Sequence, residues 1–269
     1  MKNIIKNDSK VKILDEPKKE IGLFLKDLVS IMRSRIKLIA EKKRIEIEHQ
    51  LKQFEKELEA KMNNIPEENI QMPNSRFIFS AMEATQHVIS EEKIREMFTT
   101  LIASSVDSRY EQYTHIAFVE MLKQMLPTDA IVFEKIVDNV PVPVCKIFHL
   151  EDSKAKETIK LYARMGADID LESPIFDYPA SGKDITGHYM RLDELEIIDY
   201  KIEESLDNLS RLGLINIDYS SKLPDECYNM FLEDGDIKSR LSEDKDNKLI
   251  CGTCYLTRLG KSFAKVCLD

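Results

Sequence analysis

Apolar side chains recur every three or four positions between residues 21 and 62, and this spacing constrains the fold more than any other feature. The 41 residues from Ile21 to Met62 are covered in 11 steps of about 3.7 residues, closer to a straight helix than to a heptad coiled coil. We therefore predict one amphipathic helix, which would span on the order of 60 Å. Because a small domain cannot cover that length, we expect its far half to meet a partner chain, another helix or solvent, and we favour an oligomer joined by this helix. The predicted contact residues are Ile21, Leu25, Leu28, Met32, Ile36, Ile47, Leu51, Phe54 and Leu58.

The rest of the chain favours a mainly α fold. Glycine is scarce, tryptophan is absent and 32% of the 269 residues are charged, a balance typical of helical proteins. Near the C-terminus, a helix ending in "LSRLGLI", a strand, a polar acidic loop over 233–247, a returning strand and a final helix resemble a winged-helix α+β domain. The predicted divisions are a long helix over 1–64, a helical bundle core over 65–140, a connector helix and irregular loop over 141–192, and the winged-helix-like domain over 193–269.

The charge balance argues against a nucleic-acid partner. With 48 acidic and 39 basic side chains the net charge is -9, so the surface should repel a phosphate backbone unless basic residues cluster. The helix that would enter the major groove carries Glu203, Glu204 and Asp207 against only Lys201 and Arg211. The two basic residues are the candidate nucleic-acid contacts, but the pattern favours a protein-interaction module.

The two cysteines of "CGTCYLT" have the spacing of a metal or redox pair. Cys251 and Cys254 would lie on the returning strand and point to opposite faces, which is poor geometry for one ion. A zinc site also needs a second pair of ligands at matched spacing. We therefore interpret both as structural thiols, with metal binding as the alternative, and expect no cofactor. No motif in the sequence indicates a small-molecule substrate.

One pair of residues suggests a possible enzyme activity. Arg109 and His115 in "RYEQYTH" are similar to the R-x(4-6)-H pattern of HEPN-type ribonucleases, in which both residues act around the scissile phosphate. The alternative is that His115 only begins a helix after Thr114. A two-residue pattern arises often by chance, so we do not expect an enzyme and keep the ribonuclease as an alternative.

The sequence carries no apolar run near the roughly 20 residues that a membrane span needs, and "MKNIIKNDSK" has no signal-peptide core. We therefore expect a cytoplasmic protein. A basic amphipathic helix over 21–44, with Leu23, Phe24 and Leu28 on its apolar side, leaves membrane-surface binding and membrane disruption as an alternative. Its basic residues are Lys26, Arg33, Arg35, Lys37, Lys42, Lys43 and Arg44.

The segment 65–137 resembles the abortive-infection alpha family. The matching elements are "IPEENI" with Pro73, then "EKIREMFTTLIASSVD" and "HIAFVEMLKQMLPTDA". Relatives have His-Pro-x-Phe-Val-Glu-Ile-x-Lys-Gln-Leu-Ser-Pro in the last element, so Ile116 replaces a proline, and Met125 and Leu126 replace Leu-Ser. The resemblance implies a bacterial defence against phage but no catalytic residues. We expect a non-enzymatic protein that acts through protein contacts, as a homo-oligomer or with a protein partner.

Overall fold

The computed structural model describes residues 8–36, 41–150, 182–190 and 200–268, together with 161, 164 and 165. The chain divides into two compact units. The helical unit comprises residues 1–131 and 258–269, and the sheet unit comprises residues 132–257.

The helical unit is built around one helix, α4 (Glu92–Val106), of whose 15 residues 12 are buried. Four other helices pack against it: α2 (Glu41–Asn63), α3 (Ser75–Val88), α5 (Ala117–Lys123) and α10 (Arg258–Cys267). Burial on nearly all sides explains why "KIREMFTTLIASSV" is apolar around most of its circumference. These helices confirm the mainly α fold. Their bounds are α1 Asp8–Ile36, α2 Glu41–Asn63, α3 Ser75–Val88, α4 Glu92–Val106, α5 Ala117–Lys123 and α10 Arg258–Cys267, while α6, Pro127–Asn139, contributes to both units.

The prediction of a single helix from Ile21 to Met62 is wrong. Nη2 of Arg33, in α1, lies 2.8 Å from Oε1 of Glu55, in α2. A continuous helix would place these residues about 33 Å apart along its axis, far beyond the reach of their side chains. The 3.6-residue spacing is the same in a rod and in two helices that pack together, so the spacing alone did not distinguish them.

The apolar stripe of α1 and α2 is the core of the helical unit. This corrects the expectation that the stripe is open to a partner chain, because packing within the unit already removes these side chains from water. Ile47 is half-buried, and the side chain of Ile36 lies outside the described residues. The buried members of the predicted contact set are Ile21, Leu25, Leu28, Met32, Leu51, Phe54 and Leu58.

The sheet unit contains an antiparallel sheet in the order β2-β1-β5-β4, with β3 also paired to β1. The start of the segment predicted as a connector helix and irregular loop is instead a strand, β1 (Val142–Leu150), which is hydrogen-bonded to three other strands. The presence of both helices and an antiparallel sheet confirms the α+β character of the C-terminal part. The strands are β1 Val142–Leu150, β2 Gly182–Asp184, β3 Tyr189–Met190, β4 Ile215–Asp218 and β5 Asn247–Leu256.

Two short helices, α8 (Asn229–Glu233) and α9 (Gly235–Glu243), contribute buried side chains to the sheet's apolar cluster. The acidic stretch 233–247 was predicted as a loop, and α9 corrects that prediction. The Asp234 side chain accepts hydrogen bonds from the backbone amides of Asp236 and Ile237, at the start of α9, and the Ile237 side chain belongs to the apolar cluster. The Asp234 cap and the burial of Ile237 stabilise this helix despite its acidic composition.

Helix α7, Tyr200–Arg211, precedes β4, and Gly213 between them has a φ of 73°, a conformation that glycine adopts without strain. The order helix, strand, strand, helix of α7, β4, β5 and α10 is the one predicted for the C-terminal part, except that α8 and α9 stand between β4 and β5 where a polar loop was expected. The winged-helix assignment stays a prediction, as do the four domain boundaries. Most of the predicted connector segment 141–192 lies outside the described residues.

Candidate functional site

An exposed apolar surface lies where α1 meets α3. The rings of Phe24 and Phe79 meet edge to face, with centroids 6.2 Å apart. Phe79 is 52% exposed, and Leu23 and Ile31 are 58% and 51% exposed. Ile31 follows Phe24 by seven positions, two helical turns, so both lie on the same side of α1. We call Leu23, Phe24, Ile31 and Phe79 the Phe24 patch. Exposed apolar side chains near a surface aromatic pair are typical of interaction surfaces.

Charges of both signs accompany the Phe24 patch. Lys19, Glu20, Lys26 and Asp27 are all exposed on α1. Two positive and two negative side chains leave this part of the surface locally neutral, although the whole chain carries a net charge of -9. The acidic pair among the apolar side chains disfavours an anionic membrane or a phosphate backbone as the ligand.

The predicted catalytic residue Arg109 is held by a buried carboxylate. Asp107 is 2% exposed and accepts hydrogen bonds from the Arg109 amide and from the Arg109 guanidinium. The hydrogen bond and the charge of Asp107 raise the pKa of Arg109. The carboxylate also caps the short turn Ser108–Tyr110. Both residues line a small cavity of about 180 Å³. Arg109 is thus part of the structure that follows α4.

The same segment is held against α10. The ammonium of Lys265 lies 4.1 Å from the centre of the Tyr113 ring and 5.9 Å from that of Tyr110. The hydroxyl of Ser104 donates to the carbonyl of Val266. These contacts tie the family-like "SSVD" block to the final helix of the chain.

His115 lines a different and larger cavity, of about 530 Å³. Arg109 is not among the residues that line it, and His115 does not line the cavity of Arg109. Arg76, at the start of α3, also lines the cavity of His115. The structure therefore places the two members of the ribonuclease-like pattern on separate cavities.

The candidate nucleic-acid residues do not form a basic surface in the described part of α7. Arg211 is exposed and donates to the side chain of Asn208, and the side chain of Lys201 lies outside the described residues. An acidic side chain of α7 instead approaches the segment before β3. Asp207 lies 3.7 Å from Nε2 of His188. The Nδ1 atom of His188 shares a hydrogen bond of 2.8 Å with the Tyr219 hydroxyl.

Cys251 and Cys254 are both buried in β5, three positions apart, so they point to opposite faces of the sheet. Cys251 faces Cys145 of β1 across the ladder and belongs to the apolar cluster. Burial raises the pKa of Cys254 to about 12 and raises the pKa of Cys145. All five cysteines are thiols. Within the described residues, no group of three His, Cys, Asp or Glu side chains is placed to hold a metal ion.

The basic amphipathic stretch of α1 presents only part of its predicted apolar side. Leu28 is buried in the helical unit, while Leu23 is exposed and Phe24 is half-buried. Lys26 is exposed and Arg33 pairs with Glu55, whereas the side chains of Arg35, Lys37, Lys42, Lys43 and Arg44 lie outside the described residues. Over the described ranges, no helix combines the length and apolar character needed to cross a bilayer.

Sequence reasoning missed Phe79 and Arg76. Phe77, Ile78, Ala81 and Met82 define the buried side of α3, and Phe79 falls outside that set. An apolar ring off the buried face of a helix was therefore a readable signal. No sequence pattern pointed to Arg76, because the cavity that it lines also contains His115, which is 39 positions away in the chain.

Comparison with known proteins identifies the family. A family model described as abortive infection alpha matches residues 46–267, most of the chain and more than the segment in which the resemblance was recognised. No curated protein and no solved structure matches this chain. The matched range includes most of α2, the central α4 with the segment that follows it, the sheet and all of α10. The chain belongs to the abortive infection alpha family.

Proposed function

We propose that this protein acts in bacterial defence against phage through protein contacts, without catalysing a reaction, and that the Phe24 patch is the surface of contact. Membership of the abortive infection alpha family supports the defence role. The observation that carries the mechanism is the Phe24–Phe79 ring pair at the surface, flanked by two further exposed apolar side chains. Aromatic residues, phenylalanine included, are enriched at protein interfaces.

The partner that we propose is a second copy of the chain. Two chains of net charge -9 repel each other over most of their surfaces. Lys19 and Lys26 balance Glu20 and Asp27 along the exposed side of α1, so the Phe24 patch can meet its own copy without net repulsion. A homodimer with two-fold symmetry uses the same surface on both subunits, which makes a locally neutral surface suitable.

A non-enzymatic role is supported by the placement of the residues that the sequence offered for catalysis. Arg109 is committed to Asp107, and it lines a different cavity from His115. A ribonuclease would need both groups around one phosphate. If the protein is nevertheless a nuclease that depends on this pair, His115→Ala will abolish toxicity in phage-infected cells while leaving the fold intact.

Light scattering coupled to size-exclusion chromatography tests self-association. We expect a mass of about 62 kDa, twice the 31.2 kDa of one chain, and a shift towards 31.2 kDa for Phe79→Ser. The matched control is Leu126→Ser, because Leu126 is also in the helical unit and is 60% exposed. A wild-type monomer at all concentrations would contradict the proposed partner.

Phage challenge tests the function. Cells that carry the wild-type gene should survive as a population, and Phe79→Ser should reduce protection while Leu126→Ser retains it. Circular dichroism of both variants must show an unchanged helix content. Full protection by Phe79→Ser and by Phe24→Ser would show that defence does not depend on the Phe24 patch.

A further inference from the structure

The cavity of about 530 Å³ in the helical unit lies between the start of α3 and the segment before α5. Its volume falls within the range of small-molecule sites in proteins, which hold a few polar groups beside an apolar wall. The apolar wall is formed by Met72, Phe77 and Ile116. Phe77 is buried and belongs to the core, so this wall is supported by the fold.

Arg76, Asn74 and His115 each supply a hydrogen-bond donor to the same cavity. The Arg76 side chain is exposed and forms no ion pair or hydrogen bond with the described residues. The Asn74 Oδ1 atom accepts from the Phe77 amide, which leaves the Asn74 amide nitrogen as a donor. One positive charge beside neutral donors is an arrangement that suits an anionic group.

His115 contributes the third donor, and its tautomer follows from its contact. The Ala117 amide donates to the His115 Nδ1 atom at 3.1 Å. A nitrogen that accepts a hydrogen bond carries no proton, so the neutral ring carries its proton on Nε2. The imidazole therefore offers an N–H donor while its other nitrogen holds the ring in place.

Of the remaining polar groups of the cavity, the Gln71 amide can both donate and accept, and the others offer acceptors. Glu111 provides a carboxylate, and the Thr114 hydroxyl donates to the Tyr110 carbonyl, which leaves its oxygen lone pairs available. A simple inorganic anion would use the donors and leave this side of the cavity unused. A ligand that fills both sides needs an anionic group at one end and hydroxyl or amino donors on an apolar ring at the other.

We infer that this cavity binds a nucleoside monophosphate. Its phosphate would be bound by Arg76 and His115, its base would lie against the exposed Met72 and the half-buried Ile116, and its hydroxyl or amino groups would donate to Glu111. This site is separate from the Phe24 patch, since no residue of the patch lines the cavity. Binding of the nucleotide is therefore measurable whether or not the chain self-associates.

Isothermal titration calorimetry of the full chain tests the inference, with AMP, GMP, CMP and UMP as probes. At least one of these nucleotides should bind saturably. The nucleoside that corresponds to it, and inorganic phosphate, should each bind more weakly. Arg76→Gln should weaken nucleotide binding by about tenfold or more, because a charge-assisted hydrogen bond is lost, and should leave nucleoside binding unchanged. The matched control is Arg258→Gln, an exposed arginine of α10 in the same unit, which should bind as the wild type does.

Four results would overturn the inference. The first is that none of the four nucleotides binds saturably at millimolar concentration. The second is inorganic phosphate binding as tightly as the best nucleotide, which would mean a simple anion site. The third is undiminished nucleotide binding by both Arg76→Gln and His115→Phe. The fourth is a short RNA strand that binds far more tightly than any mononucleotide, which would mean a nucleic-acid site.

Discussion

Replacing Asp107 separates a structural role for Arg109 from a catalytic one. The Asp107 carboxylate is 2% exposed and accepts from the Arg109 backbone amide at 3.0 Å, so Asp107→Ala removes the cap of the turn after α4. Loss of such a cap lowers the free energy of unfolding by about 1 kcal/mol, within a range of about 0.5–2 kcal/mol. Asp107→Asn should lower it less, because the asparagine oxygen can still accept from that amide while the charge is lost.

Urea unfolding followed by circular dichroism measures both variants. With a slope of about 2 kcal/mol/M, a loss of about 1 kcal/mol moves the midpoint by about 0.5 M. We expect Asp107→Ala to shift the midpoint further than Asp107→Asn, and Arg109→Gln to retain defence activity. Equal shifts for the two Asp107 variants would refute the role assigned to the cap. Loss of defence in a folded Arg109→Gln variant would refute the structural role of Arg109.

Three further predictions concern the glycines and the thiols. A Cβ at position 252 would lie 2.6 Å from Cδ1 of Tyr219, so Gly252→Ala should lower the free energy of unfolding by about 1–3 kcal/mol in urea melts. Gly22→Ala, where a Cβ meets nothing within 4 Å inside α1, should instead raise it by about 0.5–1 kcal/mol in the same assay. Iodoacetamide at pH 8 should modify half-buried Cys227 before buried Cys254, because the pKa of Cys254, raised to about 12, keeps that residue a thiol. Mass spectrometry of the labelled native protein measures both rates, and equally fast labelling of Cys254 would contradict this prediction.

The sequence was most informative where the signal is local and repeats. The 3.6-residue spacing identified the side chains that α1 and α2 bury, and it also marked α4 and α10 as helices. The spacing of apolar residues predicts which side chains of a helix are buried, but it does not predict which segment covers them. The prediction of one rod failed for this reason, since pairing α1 with α2 satisfies the same pattern that a partner chain would satisfy.

Contacts between distant segments were the part that the sequence could not provide. The ribonuclease-like pattern joined Arg109 and His115 because they are six positions apart, whereas the fold brings Arg76 to the cavity of His115. The Phe24 patch likewise joins α1 to α3, 55 positions apart at its ring pair. α9 was missed because its helix depends on one capping side chain and one buried residue, not on its acidic composition.

Photo-crosslinking in phage-infected cells tests the central claim most directly. A photoreactive phenylalanine analogue in place of Phe79 would be activated during infection, with the same analogue at Leu126 as the control. We expect a crosslinked product of about 62 kDa that contains only this chain and forms from position 79, with little or none from position 126. No crosslink at position 79, or equal products from the two positions, would contradict the claim that the protein acts by self-association through the Phe24 patch.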